Sequence, residues 1–150
     1  MKTCSKTYTD FPFAHRQHKH SGHCRFIHGH NWAFTFEFAC DRDNGQGFVI
    51  DFGRLKWLKT WLEKHFDHTC VLNHDDPLVG QFHSVGGDDA WDITVVPDAS
   101  CEGIAQFVFE QVNALLASDQ VLEGEDVGRG IRVVSLVVYE DSKNSAKYSE

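Results

Sequence analysis

The chain is predicted to adopt an α+β fold, an antiparallel four-stranded sheet with two helices packed on one face. Three features lead there: an alternating aromatic stretch at 31–42, two amphipathic helical stripes at 52–66 and 101–117, and a β-branched run near the C-terminus. Strands and helices do not alternate strictly, which favours helices segregated to one side of an antiparallel sheet over a βαβ arrangement. The 150 residues suit one compact domain spanning 1–150.

The elements follow in chain order. A first strand is expected near residues 4–15. In NWAFTFEFACDR (31–42), Trp32, Phe34, Phe36 and Phe38 share one face and Ala33, Thr35, Glu37 and Ala39 the other, so the aromatic face reads as core. Asn44-Gly45 marks a turn, and FVIDF reads as a short strand after it. Asp51 can cap a helix over 52–66, whose buried stripe is Leu55, Leu58, Trp61, Leu62 and His65 or Phe66. Residues 75–99, rich in Gly and Pro, read as a long irregular connection. Ser100 is the expected N-cap of a helix over 101–117 with Ile104, Phe107, Val108, Val112 and Leu115 buried. The turn-rich EGEDVGRG (123–130) precedes a closing strand, IRVVSLVVYE.

Composition narrows the function classes. No run approaches the roughly 18 apolar residues of a membrane span, and MKTCSKTYTD lacks the apolar core of a signal peptide, so a cytoplasmic protein is expected. A formal charge of −8 leaves no basic surplus for phosphate backbones, and no nucleic-acid partner is expected. Five scattered cysteines without a CxxC pair indicate neither a disulfide framework nor a four-thiolate zinc site. The segment from His15 to His30 contains Arg16, Lys19 and Arg25 with six histidines and no acid. That local cationic island suits a small anionic ligand.

His28-Gly29-His30 is the strongest local feature. Residues i and i+2 of a strand project from one face, so both imidazoles can reach one ion. Zinc accepts neutral imidazole nitrogen, and catalytic sites commonly carry three protein ligands and an open position. His15, at the end of the first strand, is the candidate third ligand if that strand forms a hairpin with the second. An isolated HxH in a chain with ten histidines is ordinarily a surface pair, so the motif needs support. Cys24 supplies some: it lies in a polar loop between His23 and Arg25, where positive charge favours the thiolate. Cys40, among apolar strand residues, reads as a small hydrophobe. Asp67 can orient the ring of His68. Glu140 ends a very apolar strand, where a carboxylate either reaches solvent or faces a pocket.

Six segments occur in order: FPFAHRQ (11–17), CRFIHGHNW (24–32), GFVIDFGRLK (47–56), FDHTCVLN (66–73), SCEGIA (100–105) and VVYE (137–140). Together they resemble the 6-pyruvoyltetrahydropterin synthase / 6-carboxytetrahydropterin synthase family over nearly the whole chain, apart from an insertion-like stretch around 78–95. The resemblance implies the tunnelling fold, in which three subunits close a barrel, two trimers stack, and active sites lie between subunits. It implies zinc held by His15, His28 and His30, with Cys24 as proton acceptor and Asp67 and His68 as its partners in proton transfer. It places Glu140, with Glu102, on the pterin. The implied substrate is 7,8-dihydroneopterin triphosphate. The short Cys24-x3-His28 spacing resembles the bacterial branch, whose products are 6-carboxytetrahydropterin, acetaldehyde and triphosphate on the route to queuosine. The alternatives are triphosphate elimination alone, giving the pyruvoyl product, and a non-catalytic zinc- or pterin-binding protein. Cys24 disfavours the branch that carries glutamate there. Cys101, where Ser or Thr is usual, and Asp141, where Thr is frequent, depart from the family pattern beside the expected pterin pocket.

Overall fold

A computed structural model of the chain describes residues 1–85, 87–118, 120–122 and 128–150. The expected turn at 123–130 therefore falls, over 123–127, outside the described residues. Strand β1 (Thr3–His15) pairs antiparallel with β2 (His28–Ala39), and the register places Phe11 opposite Trp32, Phe13 opposite His30 and His15 opposite His28. The alternation read in β2 holds: Trp32, Phe34, Phe36 and Phe38 are all 0% exposed. They carry the core that the helices cover.

Pairing shifts once in β1, between Tyr8 and Phe11. Before the shift the core-facing positions are Cys4, Lys6 and Tyr8; after it they are Phe11, Phe13 and His15. One extra residue thus moves the strand's second half to the other parity. Asp10 stands there with φ 68° and holds the kink with its carboxylate, which accepts from Thr9 Oγ1 at 2.8 Å and Asn31 Nδ2 at 3.3 Å. Aspartate tolerates this left-handed backbone better than most residues.

The Asp51 carboxylate accepts the Gly53 N–H at 2.8 Å and starts a 3₁₀ turn (Phe52–Leu55) that runs into α1 (Lys56–Phe66). The expected strand FVIDF does not form. Gly45 and Gly47, at φ 82° and 85°, turn the chain ahead of it and the helix cap follows at once, leaving no length for a ladder. Val49 and Ile50 are nevertheless buried.

The stretch read as irregular carries short elements: β3 (Cys70–Asn73) just before it, then α2 (Val79–Ser84), α3 (Gly87–Ala90) and β4 (Ile93–Val96). β3 runs parallel to the end of β1, and β4 parallel to β3. Next come α4 (Cys101–Ala117), β5 (Arg132–Tyr139) and β6 (Ser145–Ser149). The sheet is therefore six-stranded and mixed, in the order β4-β3-β1-β2-β5-β6, rather than four-stranded and antiparallel. Four-residue strands such as CVLN and ITVV are too short to display alternation, and β6 is largely polar.

Ser100 caps α4 as expected, its hydroxyl accepting the Gly103 N–H at 3.0 Å. The buried stripe of α4 is Ile104, Ala105, Val108, Phe109, Val112 and Leu116, rotated from the expected one toward Phe109 and Leu116. The unforeseen β6 is the reason, because Phe109 packs edge-on against Tyr148 with ring centroids 5.1 Å apart. No helix among the described residues is long and apolar enough to cross a membrane.

Phe34 is fully buried at the centre of this layer and touches the rings of Phe11 and Phe66 at 5.5 and 5.4 Å. Phe34→Ala should lower unfolding free energy by about 3–5 kcal/mol, read from urea midpoints at unchanged m-value. A loss under 1 kcal/mol would show that the layer repacks.

Candidate metal centre and the cavity beside it

His15, His28 and His30 come together where β1 ends and β2 begins, joined by Glu140 just past the end of β5. One donor atom from each lies within 4.8 Å of all the others. The strand pair dictates this: His15 is directly opposite His28, and His30 is two residues along on the same face. The Nε2 atoms of His15 and His28 are 3.1 Å apart. Glu140 Oε1 is 3.1 Å from His15 Nε2 and 3.1 Å from His30 Nε2.

Hydrogen bonds at the far ring nitrogens say which protonation states this implies. His15 Nδ1 donates to the Ala99 carbonyl at 2.7 Å, and His28 Nδ1 donates to the Phe26 carbonyl at 2.8 Å. A neutral ring protonated at Nδ1 carries a lone pair at Nε2. Two such lone pairs face each other across 3.1 Å, an arrangement that repels unless a cation or proton lies between them. Burial, ahead of the opposing Ala99 hydrogen bond, holds the His15 pKa below its ordinary value and so keeps the ring in the neutral, metal-ligating form. His30 Nε2 is buried without an acceptable hydrogen bond despite the nearby carboxylate. A tetrahedral ion with bonds of about 2.0–2.1 Å separates its ligand atoms by roughly 3.3 Å, close to the 3.1 Å between His15 and His28 and from Glu140 to His15 and His30. The group fits a metal ion.

The carbonyl behind His15 is itself held. Asn73, 1% exposed, accepts the Ala99 N–H through Oδ1 and donates through Nδ2 to Gln17 Oε1 at 2.8 Å. Outer partners of this kind fix the orientation of a ligating ring. The sequence offered no sign of the Ala99 carbonyl, a backbone group. Asn73 lay within a quoted segment but without an assigned partner.

A cavity of about 480 Å³ opens beside the cluster, within the range of small-molecule sites. His15, Glu140, Cys24, Cys101, Glu102 and His20 contribute to its lining, so Cys24 and Glu102 share one space with two members of the cluster. Cys24 is exposed in a three-residue 3₁₀ turn, His23–Arg25. Cys101 differs sharply: burial, then the charges of Glu140 and Glu102, push its pKa up to about 12, and it donates to the Val138 carbonyl. It stays a thiol. Asp141 shapes the β5–β6 turn, its carboxylate accepting the N–H groups of Lys143 and Asn144 at 2.7 and 2.8 Å.

Asp67 and His68 do not line the Cys24 cavity: His68 lines a second cleft together with His30 of the cluster, and Asp67 lines a third. The two residues bond each other, Nδ1 to Oδ1 at 2.7 Å, and the His68 side chain is 81% exposed in a different cleft from Cys24. His68 has φ 57°, and its N–H donates to the Pro12 carbonyl, which holds the turn. Within one chain the pair does not meet Cys24.

The cationic island is largely satisfied internally. Arg16 is paired with buried Asp76, Lys19 with Asp75 at 2.6 Å, and Arg25 donates to the Ser21 and Gly22 carbonyls. Among the described residues, Lys143 brings a positive charge to the cavity lining.

Burial pushes the Asp76 carboxyl pKa up, but the Arg16 hydrogen bond, the Leu78 N–H and the Arg16 and His18 charges outweigh it, leaving the pKa below the usual range. A carboxylate whose folded pKa is depressed stabilises the fold fully above its unfolded pKa of about 3.9 and loses that contribution as pH falls through the folded value. In chelator-treated protein, the stability difference between wild type and Asp76→Asn should therefore be constant from pH 7 to 5 and shrink below pH 4. Denaturant midpoints across that range test this; a difference independent of pH down to 2.5 would contradict it.

The family profile described as 6-pyruvoyl tetrahydropterin synthase matches residues 3–150. A 6-carboxy-5,6,7,8-tetrahydropterin synthase of Rickettsia conorii is 38% identical over 73 residues, 48% of this chain and 53% of that protein. The namesake from Aquifex aeolicus is 25% identical over 131 residues, 85% of this chain and 76% of that one. The chain spans about half the length of the first curated relatives it matches. Among solved structures, an uncharacterized protein from Wolinella succinogenes superposes with TM-score 0.77 at 21% identity, covering 99% of this chain and 98% of its own. A Plasmodium vivax 6-pyruvoyltetrahydropterin synthase gives TM-score 0.64 at 18% identity, covering 100% and 99%. These structures share the fold.

Proposed function

The chain belongs to the 6-pyruvoyl tetrahydropterin synthase family, and from that premise we propose that it is a zinc-dependent 6-carboxy-5,6,7,8-tetrahydropterin synthase. It converts 7,8-dihydroneopterin triphosphate to 6-carboxytetrahydropterin, acetaldehyde and triphosphate, a lyase step of queuosine and 7-deazaguanine synthesis in the cytoplasm. The observation that carries this reading is the convergence of three imidazoles and Glu140 at one end of a cavity that also exposes Cys24. The carboxypterin synthase name of the Rickettsia and Aquifex relatives favours this product over the pyruvoyl one.

The roles proposed are those the family resemblance implies for these residues. His15, His28 and His30 hold the zinc. Bound there, zinc supplies Lewis acidity to the substrate's side-chain oxygens and acidifies the adjacent C–H. Cys24 accepts the proton from that carbon. Glu140, 22% exposed between cluster and cavity, accepts two N–H bonds from the amino-pyrimidine edge of the pterin. Glu102 borders the same ring site. Lys143 supplies positive charge toward the triphosphate. Asp67 orients His68, and His68 moves the second proton. Since His68 and Cys24 line separate clefts of one chain, this reading needs a second copy to bring them together, as in a trimer or hexamer with active sites between subunits.

Incubation of the zinc-loaded protein with dihydroneopterin triphosphate should yield a carboxypterin with one acetaldehyde per turnover. A pyruvoyl product without acetaldehyde overturns the carboxy assignment; bound zinc without any consumption favours a binding protein. Cys24→Ala should abolish turnover with zinc content near wild type, whereas His28→Ala should lose both. Glu140→Gln is the sharper comparison. As a pterin anchor it raises KM with zinc retained, and loss of zinc would instead make Glu140 a ligand.

A further inference from the structure

The loop that presents Cys24 has no core of its own. None of His23, Cys24 and Arg25 is buried, and the cap residue Gly22 gives the turn no side-chain bond. Apolar burial therefore does not set the position of the thiol in the cavity beside the histidine cluster. Polar ties do, and most of them converge on the two residues after His15.

Arg16 donates Nε–H to Asp76 Oδ2 at 2.6 Å and Nη2–H to Asp76 Oδ1 at 2.8 Å, a bidentate pair. The carboxylate side chain is 0% exposed and the guanidinium side chain 13%. Its remaining arm, Nη1, donates to the Arg25 carbonyl at 3.2 Å, one residue beyond Cys24. Asp76 is anchored in turn: its N–H donates to the Asn73 carbonyl and its Oδ1 accepts the Leu78 N–H. Next door, the Gln17 N–H donates to the Cys24 carbonyl at 2.8 Å. The Phe82 ring of α2 lies 5.9 Å from Arg16 Cζ, backed by Trp91 with centroids 5.6 Å apart. Phe82 of α2 thus covers the guanidinium, and Arg16 does not line the cavity.

We infer that Arg16, clamped by Asp76, is the positioning residue that holds the Cys24 loop at the cavity beside the histidine cluster. Two arms of the guanidinium are spent on a fixed, buried carboxylate, so the third has one available direction and delivers it to the Arg25 carbonyl. Lysine cannot reproduce this. A single ammonium carries equal charge but no planar fork that spans both acceptors. The role goes beyond the family reading but rests on the proposed function where turnover is measured, so the test has an arm that needs no substrate.

The experiment compares zinc-loaded wild type, Arg16→Lys, and the doubly neutral Arg16→Gln/Asp76→Asn. The last variant leaves no unpaired buried charge, which guards against simple misfolding. Hydrogen exchange of residues 17–26 should speed up at least about tenfold in both variants, while β1 and β2 amides keep wild-type protection and zinc content stays equal. With dihydroneopterin triphosphate, kcat should fall roughly ten- to a hundredfold with KM within about twofold, the signature of a misplaced catalytic group rather than a lost contact. Unchanged exchange in 17–26 overturns the inference, as does faster exchange with wild-type kcat. A rise in KM alone would make Arg16 a substrate contact, and loss of zinc would make it part of the metal site; either also overturns it. A wild-type protein without turnover would sink the functional reading, and the exchange comparison alone would then uphold or overturn the restraint on the loop.

Discussion

Strand β1 changes face at the bulge between Tyr8 and Phe11, and both the core and the histidine cluster depend on that change. With a regular β1, Phe11, Phe13 and His15 would point away from Trp32, His30 and His28, because cross-strand partners must share a face. The bulge gives Phe13 its stack on Trp32, at 4.4 Å between centroids, and brings His15 Nε2 to 3.1 Å from His28 Nε2. A backbone irregularity of one residue therefore couples packing of the aromatic layer to assembly of the site. Asp10, in its left-handed conformation, is the local cost of that coupling.

Around the cluster, hydrogen bonds direct each ring. The Ala99 and Phe26 carbonyls take the Nδ1 protons of His15 and His28, leaving Nε2 lone pairs converged on one point. Asn73 ties the Ala99 peptide back to Gln17, so β1, β3 and the residues entering α4 share one polar network. Such a network is strained without a cation, which is the physical content of reading it as a metal centre.

The Cys24 loop is ordered by another means. Its cations are largely consumed by Asp76, Asp75 and backbone carbonyls, so a segment that reads as a phosphate-attracting island is mainly self-paired. The positive charge left facing the cavity comes partly from Lys143, far away in sequence on the β5–β6 turn. His68, exposed on a separate cleft that it shares with His30, and its partner Asp67 do not face Cys24 of the same chain.

Much was legible from local pattern. Periodicity of two exposed the aromatic face of β2 and the common face of His28 and His30; periodicity of 3.6 exposed α1 and α4. Ser100 and Asp51 announced their caps, because a cap involves only neighbours in sequence. The ordered motifs also picked out His15, Glu140, Cys24 and Glu102 as neighbours of one site. What stayed hidden depends on contacts between distant residues. The short parallel strands β3 and β4, the edge strand β6, the partner of Arg16 and the separation of His68 from Cys24 leave no periodic trace. The sequence by itself determined which residue types face a common side over a few turns or strand repeats, since that follows from local backbone geometry. Only the tertiary structure decided how His15, which the motif order picks out, reaches them: a single bulged residue, stabilised by a bond from Asn31 across the strand pair, sets the face of everything after it.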